Sequence, residues 1–154
     1  MKVVDYCQLQ RELAALIADD DDLVSVLANT AALLNQHLED INWVGFYLIK
    51  NDCLVLGPFQ GKIACNRIPI GKGVCGTAVA ERKIQRVADV HQYVGHIACD
   101  SASNSEIVLP LWRDQQIIGV LDIDSPKFAR FSLDDEIGLN ACLEILTQHL
   151  QQNS

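Results

Sequence analysis

The sequence predicts an α+β fold in which helices from the two ends of the chain cover a central antiparallel sheet. Segments with the three- and four-residue apolar spacing of amphipathic helices lie near both ends. Between them, short runs rich in β-branched and aromatic residues follow one another across tight turns, as the strands of hairpins do. A parallel sheet would need regular crossover helices, and the middle of the sequence shows no such alternation.

The composition is that of one packed globular unit. The chain has 154 residues, of which 49% are hydrophobic and 21% are charged. No internal repeat and no linker rich in proline, glycine or serine divides it. We therefore expect a single domain spanning residues 1–154.

The charge balance and the apolar runs exclude two classes of partner. Twenty acidic and 12 basic residues give a net charge of −8, which would repel a phosphate backbone, so nucleic-acid binding is not expected. Every apolar stretch is interrupted well short of the roughly 18 residues that a membrane helix needs. The start of the chain lacks the features of a signal peptide. We expect a cytoplasmic protein with no membrane segment and with reduced cysteines.

Two amphipathic helices are predicted at the start of the chain. The acidic run 19–22 lies between them, and its carboxylates are suited to capping the start of the second helix. The apolar stripes are Tyr6, Leu9, Leu13, Leu16 and Ile17 in the first helix, and Leu23, Val26, Leu27, Ala31, Leu34 and Leu38 in the second.

The middle of the chain predicts two hairpins, and the end predicts a third long helix. Ser132 and Asp135 have the spacing of a capping box, which starts that helix. Its apolar positions are Ile137, Ala141, Ile145 and Leu146. The hairpins pair residues 43–49 with 53–56 and residues 105–112 with 116–123, with further strands at 63–70 and 85–90 and a short helix within 71–80.

Three acidic residues lie next to apolar strand positions. Asp122 and Asp124 share one strand face, because residues two apart in a strand point to the same side. They face either solvent at a strand end or a pocket with a cationic partner, since a buried, unpaired carboxylate is costly. Glu106 precedes an apolar run and is either a solvated strand end or a proton donor with a raised pKa. The spacing leaves both interpretations open.

Cys99 is the leading candidate for a nucleophile. It lies in a loop of small polar residues, 96–105, whereas structural cysteines prefer apolar surroundings. The adjacent Asp100 would raise the pKa of a thiol, and His96 could lower it. The loop by itself therefore leaves the reactivity of this cysteine open.

The other cysteines divide into two groups. Cys65, which has basic neighbours, and Cys75, which follows a glycine-rich turn, are candidate resolving thiols. Cys7, Cys53 and Cys142 fall within apolar helix or strand patterns and are expected to be core residues.

Metal and nucleotide motifs are not evident. No Cys-x-x-Cys or His-x-x-x-His pair occurs, so a zinc site is not expected, and residues 71–76 lack the register of a phosphate loop. Trp43 and Tyr47 share a strand face, where an aromatic pair is usually part of the core and can also surround a methyl or sulfur group. No role is assigned to the three remaining histidines, His37, His91 and His149.

Six motifs occur in a recognisable order: NWVGFY at 42–47, GPFQG at 57–61, GVCG at 73–76, VADV at 87–90, CD at 99–100 and GVLDID at 119–124. Together they resemble the free methionine-(R)-sulfoxide reductases, which are single-domain enzymes of the GAF fold. The resemblance covers nearly the whole chain, and its specificity lies in the ordered set of three cysteines. The glycine-to-aspartate strand alone would support only the GAF fold.

The resemblance implies a role for each matching position. Cys99 corresponds to the catalytic cysteine, Cys65 to the cysteine that forms a disulfide with it, and Cys75 to a third, less essential cysteine. The substrate-pocket residues it implies are the acids Glu106, Asp122 and Asp124 and, at the methyl-sulfoxide end, Trp43 and Tyr47.

These roles make chemical sense together. Asp122 and Asp124 offer an anionic seat for the ammonium group of a free amino acid, and Glu106 is suited to protonate the sulfoxide oxygen. The thiol cycle needs an external dithiol, for which thioredoxin is the implied partner, and needs no metal or flavin. The resemblance also allows a homodimer. Two rival functions share the same residues: a non-enzymatic GAF sensor of a small molecule or of redox state, and a thiol peroxidase.

Overall fold

The computed structural model describes residues 2–97 and 101–153. Within these ranges the chain forms four α-helices, one short 3-10 helix at Val90–Gln92 and one six-stranded sheet, in the predicted order. The helices are α1 (Tyr6–Ile17), α2 (Leu23–His37), α3 (Gly73–Glu81) and α4 (Leu133–Gln152). The strands are β1 (Trp43–Lys50), β2 (Cys53–Gly61), β3 (Arg67–Pro69), β4 (Gln85–Val87), β5 (Ser105–Arg113) and β6 (Gln116–Ser125).

The sheet has the strand order β3-β2-β1-β6-β5-β4, and each neighbouring pair is antiparallel. Two hairpins, β1–β2 and β5–β6, supply the four long strands, as their turn signals predict. They join where β1 pairs with β6 in the middle of the sheet. The predicted α+β class, with a central antiparallel sheet and helices from both ends of the chain, is confirmed.

The sheet has a dry face and a face that carries polar groups. On β6, Leu121 and Ile123 belong to the core beneath α1, α2 and α4, and they are fully buried. The alternate residues Val120, Asp122 and Asp124 lie on the other face, where α3 packs. This alternation is the period-2 pattern of a strand with two different environments.

The dry core is built from the apolar stripes of the three long helices. Leu9, Leu13 and Leu27 are at most 1% exposed, and burial of each such side chain contributes roughly 1.5–3 kcal/mol. The predicted helix starts are confirmed: the Asp22 side chain accepts a hydrogen bond from the Ser25 amide at the start of α2. A capping box of Ser132 and Asp135 begins α4.

A buried ion pair lies at the start of α4. The Arg130 guanidinium donates to Oδ2 of Asp135 at 3.1 Å, and the Tyr6 hydroxyl donates to Oδ1 of the same carboxylate at 2.6 Å. Arg130 and Asp135 are 6% and 8% exposed. The Tyr6 ring lies against Gly138, where an added Cβ would be 2.2 Å from a ring carbon, so a glycine is needed for this approach of α1 to α4.

Three side chains predicted to be buried are exposed. Cys7 is exposed, Leu16 is 43% exposed and Ile137 is 60% exposed. Cys7 and Ile137 precede the buried residues Leu9 and Leu139 by two positions, which is about 200° around a helix of 3.6 residues per turn. Their apolar character fits the stripe, but their angular position does not.

Two predicted strands are shorter than expected. The strand expected at 63–70 is limited to Arg67–Pro69, because residues 62 and 65 bond through their carbonyls to side chains of β1 instead of to a neighbouring strand. The strand expected at 85–90 ends at Val87, and the Asp89 side chain caps the 3-10 helix that follows. None of the helices in the described ranges combines the length and the apolar character needed to cross a membrane.

Candidate active site

A pocket with about 520 Å³ of empty space lies on the polar face of the sheet. The sheet forms its floor, and the start of α3 and the loops at 63–64 and 96–97 contribute to its walls. Six of the predicted site residues line it: Trp43, Tyr47, Cys75, Glu106, Asp122 and Asp124. A concave site with aromatic and apolar walls and a few polar groups is typical of small-molecule binding.

Strand register places the acids and one of the aromatic residues side by side. Asp124 on β6 pairs with Trp43 on β1 and with Glu106 on β5, so these three residues form one row across the floor. The next row places Asp122 between Gly45 and Val108. Two like charges directly opposite each other are unfavourable in a sheet, so the Glu106–Asp124 pair is an arrangement that favours a bound proton or a bound cation.

The acids of this floor are buried, which rules out solvated strand ends for Glu106 and Asp122. Both are 6% exposed. Burial and the nearby Asp124 carboxylate raise the pKa of Glu106 well above its usual value. Burial and the charge of Glu106 do the same for the pKa of Asp122. At least part of this group therefore holds protons near neutral pH.

The described lining of the pocket lacks the kind of cationic partner that neutralises the buried Asp135 at the start of α4. Among the described residues that line it, none is a lysine or an arginine. One oxygen of Asp122, Oδ1, is buried and has no hydrogen-bond partner within the described structure. An unsatisfied buried acceptor is costly, so the site is suited to a ligand that brings a positive charge and hydrogen-bond donors.

Cys75 lies in the first turn of α3 and points into the same cluster. It is 3% exposed, and its Sγ lies within 4.8 Å of a carboxylate oxygen from each of Glu106 and Asp122. Burial and the neighbouring carboxylates raise the pKa of this thiol well above its usual value. At neutral pH Cys75 is therefore a protonated thiol, which is a poor nucleophile.

Trp43 and Tyr47 form one wall of the pocket. Both are 2% exposed, and their ring centroids are 5.9 Å apart in a stacked arrangement. The Trp43 indole donates to the carbonyl of Lys62 at 3.1 Å, and the Tyr47 hydroxyl donates to the carbonyl of Cys65 at 2.8 Å. The same two side chains therefore line the pocket and hold the loop that carries Cys65.

Gly73 allows α3 to approach the opposite loop. Its φ of +63° is a conformation that L side chains rarely adopt, and an added Cβ would be 3.1 Å from the Ile97 side chain. A larger residue here would push Ile97 away or distort the first turn of α3. The glycine therefore supports the contact between two walls of the pocket.

His96 was not predicted as a pocket residue. Its side chain is 15% exposed, and Nε2 lies 3.7 Å from Oε1 of Glu106. Burial lowers the pKa of His96, so the ring is largely neutral at neutral pH. Its position three residues before Cys99 was a usable signal. The other lining residues missed from the sequence are small or apolar: Ile63, Ala64, Ile68, Gly73, Val74, Ile97 and Ser103.

The remaining predicted residues have different locations. Cys99 lies outside the described residues. Cys65 is half-buried next to the lining residue Ala64. Cys142 is a core thiol, as predicted, and burial raises its pKa to about 11, whereas Cys53 is only partly buried. The free thiols in the described part of the chain are Cys7, Cys53, Cys75 and Cys142, and Cys65 is not one of them.

The three histidines without an assigned role pair outside the pocket. His37 Nε2 contacts a carboxylate oxygen of Glu12. His91 Nε2 lies 2.7 Å from the side-chain oxygen of Asn104. His149 contacts the carbonyl of Asp20. Each has a structural partner.

Comparison with known proteins identifies the family of the chain. Residues 18–151 match the family described as GAF domain, which defines the class of fold. The free methionine-R-sulfoxide reductase of Escherichia coli (strain K12) is 63% identical over 134 residues, covering 87% of this chain and 81% of that protein.

Two solved structures extend the similarity. The fRMsr of Staphylococcus aureus in complex with substrate has a TM-score of 0.94 and 53% identity, covering 97% of this chain and 98% of that one. The free methionine-R-sulfoxide reductase of Neisseria meningitidis in complex with its substrate has a TM-score of 0.92 and 45% identity, covering 96% and 89% of the two chains. The chain therefore belongs to the GAF-domain family of free methionine-R-sulfoxide reductases.

Proposed function

We propose that this protein reduces free L-methionine-(R)-sulfoxide to L-methionine. The observation that carries the proposal is the pocket, in which two aromatic side chains lie beside buried acids and whose described lining has no lysine or arginine. A free amino acid supplies the ammonium group that such a floor favours. The Escherichia coli relative is named for this activity, and two similar structures contain their substrate.

The substrate is oriented by the acidic and the aromatic side chains of the pocket. Its ammonium group interacts with Asp122 and Asp124, and the buried, unpaired Oδ1 of Asp122 accepts one of its hydrogen bonds. Its methyl-sulfoxide end lies against Trp43 and Tyr47, whose stacked rings offer an apolar surface for a methyl and a sulfur group. An acylated amine would lose both the charge and two donors.

Glu106 serves as the proton donor to the sulfoxide oxygen. Its raised pKa keeps the carboxyl group protonated at a pH where an exposed glutamate would be ionised. It lies on the floor beside Asp124, within the same pocket as the aromatic wall. Protonation of the oxygen makes the sulfur a better target for a thiolate.

The electrons come from thiols. The Cys99 thiolate attacks the sulfoxide sulfur and takes over the protonated oxygen, so that methionine leaves and Cys99 becomes a sulfenic acid. Cys65 then condenses with this sulfenic acid, which releases water and forms the Cys65–Cys99 disulfide. A dithiol, thioredoxin, reduces that disulfide and is itself oxidised. The position of Cys65 beside the pocket supports this order.

Several further features belong to the same proposal. Residues 1–154 form one domain, and the protein acts in the cytoplasm. It assembles as a homodimer. Cys75 contributes as a buried thiol of the pocket and not as the attacking group, in keeping with its raised pKa. The cycle uses no metal or flavin.

The experiment that tests the function is a coupled assay with thioredoxin, thioredoxin reductase and each free methionine sulfoxide epimer. Oxidation of the nicotinamide cofactor reports turnover. We expect turnover of the free R epimer only, with none for the S epimer or for N-acetylmethionine sulfoxide. Turnover of the N-acetylated compound would be consistent with the thiol cycle but would contradict recognition of the ammonium group by Asp122 and Asp124. Inactivity toward every sulfoxide would favour a GAF sensor, and turnover of peroxide alone would favour a thiol peroxidase.

Two cysteine variants test the order of the thiol steps. Cys99→Ser is expected to abolish turnover with any reductant. Cys65→Ser is expected to release about one methionine per chain in a single turnover, because attack precedes resolution. Cys53→Ser, a partly buried thiol outside the pocket, is the matched control and keeps full activity. Equal loss of the first turnover in Cys99→Ser and Cys65→Ser would contradict the order.

A further inference from the structure

Three groups that can bind a metal ion meet on the floor of the pocket. The Sγ of Cys75 and one carboxylate oxygen from each of Glu106 and Asp122 lie within 4.8 Å of one another. Each of the three residues is at most 6% exposed. They come from α3, β5 and β6, so they are brought together by the fold and not by proximity in the sequence.

This donor set has a chemical preference. Zinc binds cysteine sulfur together with carboxylate oxygen, usually with four ligands in a tetrahedral arrangement. Mg²⁺ and Ca²⁺ prefer oxygen ligands alone. A site with one sulfur and two oxygens therefore favours a thiophilic divalent cation, of which Zn²⁺ is the commonest in proteins.

An independent observation points to a cationic ligand at this place. Asp122 is 6% exposed, and its Oδ1 is buried with no hydrogen-bond partner in the described structure. The described lining residues include no lysine or arginine to neutralise the acids. A divalent cation would satisfy the unpaired oxygen and balance the charge of the two carboxylates in one step.

We propose that a thiophilic divalent cation binds Cys75, Glu106 and Asp122 in the reduced protein and excludes the ammonium end of the substrate. Binding of the cation stands on the cluster alone, whereas its competition with methionine sulfoxide rests on the proposed function. The thiol loses its proton to the solvent as the metal–sulfur bond forms, so affinity increases with pH. No electron is transferred.

The geometry requires only small movements. Zinc–sulfur and zinc–oxygen bonds of about 2.3 and 2.0 Å place tetrahedral ligand atoms roughly 3.5 Å from one another. Because the three ligand atoms already lie within 4.8 Å of one another, they need to approach by at most about 1.5 Å. His96 offers a nitrogen donor beside them, since its Nε2 is 3.7 Å from Oε1 of Glu106. The absence of paired cysteines and histidines in the sequence argues against a structural zinc site. It does not bear on ligands assembled from three separate elements.

Cobalt binding tests the site directly, because a Co²⁺–thiolate bond gives a charge-transfer band in the near ultraviolet. The measurement is made on the Cys65→Ser/Cys99→Ser protein, which removes the two redox cysteines as alternative ligands. We expect one Co²⁺ per chain with this band, displacement by Zn²⁺ and no displacement by Mg²⁺. A cobalt complex without the band would overturn the proposal.

Further substitutions identify the ligands. In that protein, Cys75→Ser is expected to eliminate the band and to weaken Co²⁺ binding at least tenfold, which is about 1.4 kcal/mol. Glu106→Gln is expected to weaken binding and to keep the band. Cys142→Ser, which removes a buried thiol outside the pocket, is the matched control and changes neither. Persistence of the band in a folded Cys75→Ser protein would assign it to another cysteine and refute the site.

Ligand competition separates the two parts of the inference. Free methionine sulfoxide is expected to displace Co²⁺ and remove the band, whereas N-acetylmethionine sulfoxide is expected to leave it. A stable band in the presence of free methionine sulfoxide would refute the competition. If the metal-free wild-type protein turns over no sulfoxide while the band follows Cys75 as expected, the proposed function fails and the metal site stands.

Discussion

The buried carboxyl groups of the described structure form two groups, Asp135 at the start of α4 and Glu106 with Asp122 in the pocket, which differ in whether the described part of the protein supplies a counter-charge. At the start of α4, Asp135 accepts hydrogen bonds from Arg130 and Tyr6. On the floor of the pocket, Glu106 and Asp122 are buried to the same degree, but the described lining contains no lysine or arginine.

The two environments shift the pKa values in opposite directions. Burial alone would raise the pKa of Asp135, but hydrogen bonds from Tyr6 and Ser132 and the charge of Arg130 together lower it. Burial raises the pKa of both Glu106 and Asp122, and a neighbouring carboxylate raises it further, Asp124 for Glu106 and Glu106 for Asp122. The first group is ionised and satisfied within the fold, whereas the second is satisfied only when protonated or when a cation binds. Similar burial therefore accompanies a stabilising ion pair at the start of α4 and a candidate binding site in the pocket.

The largest expected effect comes from removing the counter-charge of the first group. Arg130→Met leaves Asp135 buried without its cation and also removes the hydrogen bond to the carbonyl of Glu39. We expect the free energy of unfolding to fall by about 3–5 kcal/mol, the usual cost of breaking a buried pair. Urea denaturation at neutral pH measures it.

Lys127→Met is the matched control for that substitution. Lys127 pairs with Asp40 at 2.9 Å, but its side chain is 58% exposed. An exposed pair contributes at most about 1 kcal/mol, so a small loss is expected. A loss for Arg130→Met no larger than that of the control would contradict the structural role of the Arg130–Asp135 pair.

The sequence predicted one side of this comparison better than the other. The alternation along β6 is local, so the shared face of Asp122 and Asp124 could be predicted from residues two apart. The pairing of Asp124 with Glu106 depends on strand register, and the contact with Cys75 depends on how α3 packs. The burial of the acids, which decides their chemistry, therefore required the three-dimensional structure.

The buried hydrogen bonds of Asp135 were not predictable from local patterns. Asp135 was predicted as a helix cap, which it is, but its partner Tyr6 lies at the other end of the chain. Tyr6 was assigned to an apolar stripe, and its hydroxyl gave no signal of a polar contact. The proposed catalytic role of Cys99 rests on resemblance to a family, because the polar loop around Cys99 left its reactivity open.

The second prediction tests the group that has no counter-charge. Asp122→Asn removes a buried carboxyl group whose ionised form no lysine or arginine of the described lining stabilises, so the free energy of unfolding is expected to stay unchanged or to rise by up to about 2 kcal/mol. The same change is expected to lower kcat/KM for free methionine sulfoxide at least about tenfold, because a charged hydrogen bond to the ammonium group is lost.

Asp114→Asn is the control, since Asp114 is an exposed acid in the turn between β5 and β6. It is expected to change neither quantity. Reduced stability with unchanged kcat/KM in Asp122→Asn would show that Asp122 supports the fold and does not bind the substrate. Urea denaturation and the coupled assay give the two readouts.

The third prediction is that the contributions of Asp122 and Asp135 to the free energy of unfolding change in opposite directions with pH. A carboxyl group whose pKa is raised by folding contributes most below its unfolded pKa of about 4, and that contribution is lost as the pH rises through the folded value. The advantage of Asp122→Asn over wild type is therefore expected to grow as the pH rises above about 4. Unfolding free energies at acidic and neutral pH measure this trend.

Asp135 is expected to show the opposite dependence. Its pKa is lowered by folding, so its contribution is present above the unfolded pKa and is lost as the pH falls through the folded value. The deficit of Arg130→Met is therefore expected to shrink in acid, where the unpaired Asp135 can be protonated. Parallel pH profiles for the two variants would show that both carboxyl groups have the same kind of environment.

The smallest expected effect is at Tyr47, which belongs to both the pocket wall and the support of the Cys65 loop. Tyr47→Phe keeps the ring and removes the hydrogen bond to the Cys65 carbonyl, which is 2.8 Å long. A lost neutral hydrogen bond costs about 1 kcal/mol, so disulfide formation is expected to slow about fivefold. The first release of methionine is expected to stay unchanged, because the apolar wall remains.

A single-turnover experiment separates these steps, with methionine release and thiol loss followed in the same sample. Tyr93→Phe is the matched control, since the Tyr93 hydroxyl donates to Gln85 at 3.3 Å outside the pocket lining. Slower release of the first methionine in Tyr47→Phe would assign the hydroxyl to the substrate and not to the loop. Normal release of the first methionine with slower disulfide formation would instead show that the Tyr47 hydroxyl positions Cys65.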